Sequence, residues 1–94
     1  MTRMRKLYMF PANRRAREAS LKEQLLKVCE EAREAWQAYA DGEPEWRIIE
    51  ELEDLRQALE GAERKFKDRD VLVGRARVRI KCRHRGDYVK WEGK

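Results

Sequence analysis

Apolar residues recur through the middle of this chain at the three- and four-residue spacing of an amphipathic helix. Leu21, Leu25, Val28, Ala32, Ala35 and Tyr39 make one stripe, and Ile48, Leu52, Leu55 and Leu59 make a second. Ser20 opens the first run with Glu23 three residues later, the spacing of a capping box. Asp41-Gly42 closes it, glycine being suited to the left-handed position that ends many helices. Pro44 fits the start of the second helix, where its missing N–H costs nothing. Gly61 weakens that helix without breaking it, and Phe66 falls near its end. The pattern predicts helices over 20–40 and 44–66. A link of so few residues makes them antiparallel neighbours, packed stripe to stripe.

The flanks are less regular. "KLYMFP" (6–11) reads as a short extended segment, ended by Pro11 and Asn13. In "VLVGRARVRIKCRHRG", Ala76, Val78, Ile80 and Cys82 alternate with Arg77, Arg79, Lys81 and Arg83, as in a strand with one basic face. Val71, Val78 and Cys82 also share a helical face, so periodicity fits both helix and strand for 71–83. "GDYVKW" reads as a turn and a short extended tail. With 94 residues and no internal repeat, residues 1–94 form one domain with a modest core.

Composition sharpens this picture. Charged residues make up 44% of the chain and the mean hydropathy is −0.99. The scarce large apolar side chains must therefore be well placed or shared with a partner chain. Trp36, Trp46 and Tyr39 are expected in a core or interface, where aromatic area counts most. No apolar run approaches the roughly 20 residues of a membrane span. The opening "MTRMRKLYMF" lacks the apolar region and cleavage site of a signal peptide. A cytoplasmic protein without a membrane partner is the expectation. Cys29 and Cys82 make no disulfide framework, and Cys29 is expected as a buried thiol near the apolar face. With His84 the sole histidine, the ligands for a zinc site are nearly absent.

The net charge of +5 conceals a partition. Residues 1–22 carry seven Lys/Arg and one acid, and residues 67–94 carry ten and four. Residues 23–66 carry six bases and thirteen acids. Much of that acid lies in two knots, "CEEAREAW" (29–36) and "EELEDL" (50–55). Glu31 and Glu34 lie about 90° and 150° to one side of the first stripe. Glu51 and Asp54 lie about 75° and 135° to the same side of the second. In an antiparallel pair those flanks share an edge. Both knots also stand roughly 15 Å from the turn. Four carboxylates are thus expected on one ledge, with Glu30 pointing further round. Crowded like charges are unfavourable, and an all-oxygen set favours Mg²⁺, Mn²⁺ or Ca²⁺ as the neutralising ion.

Glu30-Glu31-x-x-Glu34, followed at a distance by Glu51-x-x-Asp54, resembles the signature of the MazG-like nucleoside triphosphate pyrophosphohydrolases. "LLKVCEEAREA", "EELEDLRQAL" and the late "KCRHRGDY" (81–88) are similar to that family as well, so the likeness spans about residues 20–88. The resemblance implies an all-α fold, an antiparallel bundle of about three helices per chain with 69–85 as the third. It implies completion of that bundle as a homodimer or homotetramer. It implies Mg²⁺, with Mn²⁺ as a substitute, held by Glu31, Glu34, Glu51 and Asp54. Glu30 and Glu34 become the catalytic carboxylates, Glu30 as an accessory group or water-orienting base. The implied reaction splits a nucleoside triphosphate between the α- and β-phosphates into nucleoside monophosphate and pyrophosphate. Lys81, Arg85 and Tyr88 are the implied phosphate-binding residues. The chain departs from the family at His84, where many relatives have Asn, and at Glu53, where Gly or Ala is usual.

A different class of function competes with this one. The run "RARVRIKCRHR", with Tyr88 and Trp91 nearby, suits a non-enzymatic nucleic-acid-binding module. On the hydrolase reading, a nucleic-acid partner is not expected.

Overall fold

The computed structural model describes residues 7–91, and among them all regular structure is helical. Helix α1 spans Arg14–Glu18, α2 Leu21–Ala40, α3 Glu45–Glu63 and α4 Asp68–His84. The last three are the expected helices, with ends shifted by a few residues. The alternating segment 71–83 is helix throughout. Its acids, Asp68 and Asp70, lie in the first turn of α4, and Lys81, Arg83 and His84 in the last, the polarity that a helix dipole favours.

Helix α1 was not anticipated. Asn13 does not end an extended segment but caps a helix, its Oδ1 accepting from the Ala16 N–H at 3.1 Å. Residues 7–10 form no strand, and Lys6 of the expected segment lies outside the described residues. Those residues run as a strap held by side chains of α3 and α4. Glu60 accepts from the backbone N–H of Met9 at 3.0 Å and of Phe10 at 2.8 Å. Arg64 donates to the Phe10 carbonyl at 2.8 Å, and Arg75 to the Leu7 carbonyl at 3.1 Å. The Arg64 guanidinium also lies 4.2 Å from the centre of the Tyr8 ring, a cation–π contact.

The capping box at Ser20 is formed in both directions, with Ser20 N–H to Glu23 at 2.8 Å and Glu23 N–H to Ser20 Oγ at 3.1 Å. At the other end of α2, Gly42 adopts φ 70°. Its N–H bonds to the Tyr39 carbonyl and that of Glu43 to the Ala38 carbonyl, each at 3.0 Å, which is the Schellman motif. Pro44 immediately precedes α3. This turn sets α2 and α3 side by side.

The two helices do not meet through their apolar stripes. The residues of α2 that become buried are Gln24, Glu31, Ala35 and Ala38, and those of α3 include Glu51, Ala58, Gly61 and Ala62. Each helix is therefore turned by about 70° from the expected orientation, toward its acidic flank. Small residues explain the choice, because Ala and Gly let two backbones approach where Leu would hold them apart. Gln24 ties the seam, donating to the buried carbonyl of Ala58 at 3.0 Å.

The stripe-to-stripe expectation is thereby corrected. Leu25 is 50% exposed, Tyr39 65%, Leu52 47% and Leu59 46%. Trp36 and Trp46 are exposed too, so they are not core residues of this chain. Cys29, on the same side of α2, is exposed instead of buried. The buried apolar residues are Ala16, Ala35, Ala38, Ala58, Ala62 and Val71.

Helix α1 docks against the far end of this seam. A Cβ placed on Gly61 would stand 2.8 Å from the Ala16 Cβ and 2.8 Å from the Gln24 Nε2. Lys65 closes the C-terminal end of α1 by donating to the carbonyls of Arg17 and Ala19. Gly61→Ala should therefore destabilise the chain by about 1–3 kcal/mol through overpacking. At an open helical site the same change would stabilise it by about 0.5–1 kcal/mol. Urea unfolding decides the sign, and Ala16→Gly in the same chain should recover part of the loss.

Candidate metal centre

Turning both acidic flanks inward has a direct chemical result. Glu31 and Glu51 are each only 6% exposed, facing one another across the seam. Each spends one oxygen on a cation one turn earlier in its own helix. Lys27 reaches Glu31 Oε1 at 2.8 Å, and Arg47 reaches Glu51 Oε1 at 2.9 Å. The other oxygen of each is buried with no hydrogen-bond partner among the described residues. A buried acceptor left unsatisfied costs roughly 1–3 kcal/mol, and more when it is charged.

Asp54 completes the group from an exposed position one turn beyond Glu51. One carboxylate oxygen from each of Glu31, Glu51 and Asp54 lies within 4.8 Å of the others. The donor set is hard, anionic and all oxygen, compatible with a divalent cation of the Mg²⁺ or Mn²⁺ type. Glu31 and Glu51 would hold such an ion from the buried side and Asp54 from the exposed side.

The other expected residues are placed differently. Glu34 is exposed and stands outside that close group, in a shallow groove of about 300 Å³ that Arg47 and Glu51 also line. Its pKa is raised above the ordinary 4.5, chiefly by the negative charge of Glu31, then by desolvation, with Glu30 and Glu51 adding to the effect. Glu30 is exposed, on the outer side of α2 as expected. Lys81 lies on the last turn of α4, Arg85 caps that helix, and Tyr88 follows it. Among the described residues, no hydrogen bond or ion pair joins these three to the carboxylates.

A second groove, of about 470 Å³, opens on the other side of the cluster between α1, α2 and α3. Glu31 and Asp54 lie on its wall with Arg15, Lys27, Gln24 and Gln57. Sequence reasoning missed the cations here. Lys27 and Arg47 were legible in retrospect, since each stands four residues before a knot carboxylate in its own helix. Arg15 was not, because its helix was not expected.

Comparison of the chain with protein-family models, with curated proteins and with solved structures finds no match in any of the three.

The raised pKa of Glu34 has a signed consequence for stability. The folded chain holds this proton more tightly than the unfolded chain does, so stability falls as pH rises above about 4.5 toward the folded pKa. Chemical unfolding at a series of pH values should show that fall in the wild type and a smaller one in Glu34→Gln. Equal slopes would mean that Glu34 does not feel the cluster.

Proposed function

We propose that this chain is a divalent-cation-dependent nucleoside triphosphate pyrophosphohydrolase that works as a homodimer. The observation that carries the reading is the meeting of Glu31, Glu51 and Asp54 around two buried, unpaired carboxylate oxygens. Lys27 and Arg47 each satisfy one oxygen, and among the described residues no hydrogen bond satisfies the other, which a cation would. Its agreement with the paired acidic motif of the MazG-like enzymes supports the same reading.

In this proposal Glu31, Glu51 and Asp54 hold Mg²⁺ or Mn²⁺, with Glu34 beside them. The ion supplies Lewis acidity toward phosphate oxygens and water. Lys27 and Arg47 hold the two buried carboxylates in place, which preserves their geometry as ligands. Glu34, exposed beside the cluster, would take a proton from the attacking water, and Glu30 is the accessory carboxylate behind it. Attack between the α- and β-phosphates releases nucleoside monophosphate and pyrophosphate. The groove containing Arg15, Lys27 and Gln57 is large enough for a nucleotide-sized ligand. Lys81, Arg85 and Tyr88 belong to the proposal as phosphate ligands contributed by the second chain.

Dimerisation rests on the uncovered apolar stripes. Because both helices turn in the same sense, Leu21, Leu25, Val28 and Tyr39 fall on the same side of the hairpin as Ile48, Leu52, Leu55 and Leu59. Such a continuous apolar face is unusual on a chain that stays alone. The radius of gyration, 15.8 Å, also exceeds the about 12 Å of a compact chain of this length. A second copy laid face to face would complete a four-helix core from the two hairpins.

Wild-type protein with Mg²⁺ should release pyrophosphate from at least one member of a panel of standard and modified triphosphates. Glu31→Gln and Asp54→Asn should abolish that release, and Mg²⁺ should raise the melting temperature of the wild type but not of Asp54→Asn. Inert wild type across the panel, or variants as active as wild type, would end the hydrolase reading. Light scattering should separately report twice the chain mass for wild type and the single mass for Leu52→Asp. A monomeric wild type at micromolar concentration would refute the dimer.

A further inference from the structure

The C-terminal half of α4 takes no part in the hairpin. Val71, in its first turn, is the one buried residue of this helix. From Val71 to Gly86 the chain contains six Lys/Arg and no acid. Arg75 is engaged, donating to Glu63 at 3.1 Å and to the strap. Arg77, Arg79, Lys81, Arg83 and Arg85 enter no ion pair among the described residues, although the hairpin beside them is rich in carboxylates. An excess of unpaired cations on one projecting helix is a recognition feature for a polyanion.

Their arrangement narrows the choice of polyanion. Arg77, Lys81 and Arg85 form one row at four-residue spacing, and Arg79 and Arg83 form another on the opposite side. Within each row neighbouring Cβ atoms stand about 6 Å apart, suited to successive phosphates along a strand. The apolar residues are likewise split, Val73 and Ile80 against Val71 and Val78. A helix with cations on both sides and no single apolar stripe is ill suited to lie in a membrane surface.

Aromatic groups follow immediately. Gly86, at φ 72°, ends α4 in a Schellman turn. Its N–H bonds to Arg83 at 3.1 Å and that of Asp87 to Cys82 at 2.9 Å. Tyr88 and Trp91 follow Gly86 within five residues of it. Tyr88 is 55% exposed and Trp91 80%. Exposed rings next to guanidinium rows are the elements of a single-strand binding surface, bases stacking while cations hold the backbone.

We propose that the end of α4 and the turn after it bind a single-stranded nucleic acid. Arg77, Arg79, Lys81, Arg83 and Arg85 hold its phosphodiesters, and Tyr88 and Trp91 stack on its bases. This activity shares Lys81, Arg85 and Tyr88 with the hydrolase reading but uses no carboxylate of the hairpin and needs no divalent cation, so EDTA and Asp54→Asn distinguish the two.

Fluorescence anisotropy of labelled single-stranded RNA and DNA, with the full chain and EDTA present, tests it. Binding should weaken with salt at a log–log slope of about −3.5, as expected for five phosphate contacts. Arg79→Glu with Arg83→Glu should lower affinity at least tenfold and flatten the slope by about 1.4, with helicity by circular dichroism unchanged. Tyr88→Ala should weaken binding at every salt concentration without changing the slope. Asp54→Asn should bind as wild type does. Several outcomes would overturn the proposal: no binding in EDTA, full affinity in the double variant, tighter binding to a duplex of the same length, or retention on anionic lipid vesicles without oligonucleotide binding.

Discussion

The seam of small residues between α2 and α3 is the constraint on which the rest depends. Ala35 and Ala38 on one helix and Ala58, Gly61 and Ala62 on the other allow an approach that the leucine stripes would prevent. Close approach along that seam carries Glu31 and Glu51 inward, because they lie on the same helical faces as the small residues. Helix α1 uses the same property at the seam's far end, where the Ala16 Cβ occupies the space that a side chain on Gly61 would need. One packing choice thus forms the carboxylate cluster, exposes the large apolar side chains and seats the short helix that walls the larger groove.

Burying two carboxylates in a core made of alanine is a stability cost with no structural return inside one chain. Lys27 and Arg47 offset part of it, each satisfying one oxygen. The remaining oxygen of each carboxylate is buried without a hydrogen-bond partner among the described residues, in a group that Asp54 completes. The three carboxylates meet on the edge of a groove that Glu31 and Asp54 also line. The raised pKa of Glu34 follows from the same crowding, since its nearest influence is the buried Glu31. Electrostatics and packing therefore describe one site from two sides.

The chain divides its chemistry between two ends. The hairpin concentrates negative charge within a seam, and α4 spreads positive charge over a free helix. The strap of residues 7–10 links them, since Glu60 and Arg64 of α3 and Arg75 of α4 all hold it. The hairpin itself carries exposed apolar side chains, Leu25, Leu52 and Leu59 among them.

Much of the local structure was legible in the residues alone. The Ser20–Glu23 capping box, the Gly42 turn and the periodic apolar residues specify α2 and α3, because caps and periodicity are local properties. The meeting of Glu31, Glu51 and Asp54 was legible in part, but the expectation placed Glu34 with them and rested on a stripe-to-stripe packing that the helices do not adopt. The helical state of 71–83 was not settled by its pattern, since cations and small apolar residues fit both periods. Nor was α1 visible, because Asn13 suits a cap and a turn equally. Above all, the sequence did not reveal which face of each helix would be covered. Apolar spacing marks the surface that water disfavours, but small residues decide how near two backbones come. Only the tertiary packing weighed those two effects, placing Glu31 and Glu51 inside and leaving Leu25, Leu52 and Leu59 out.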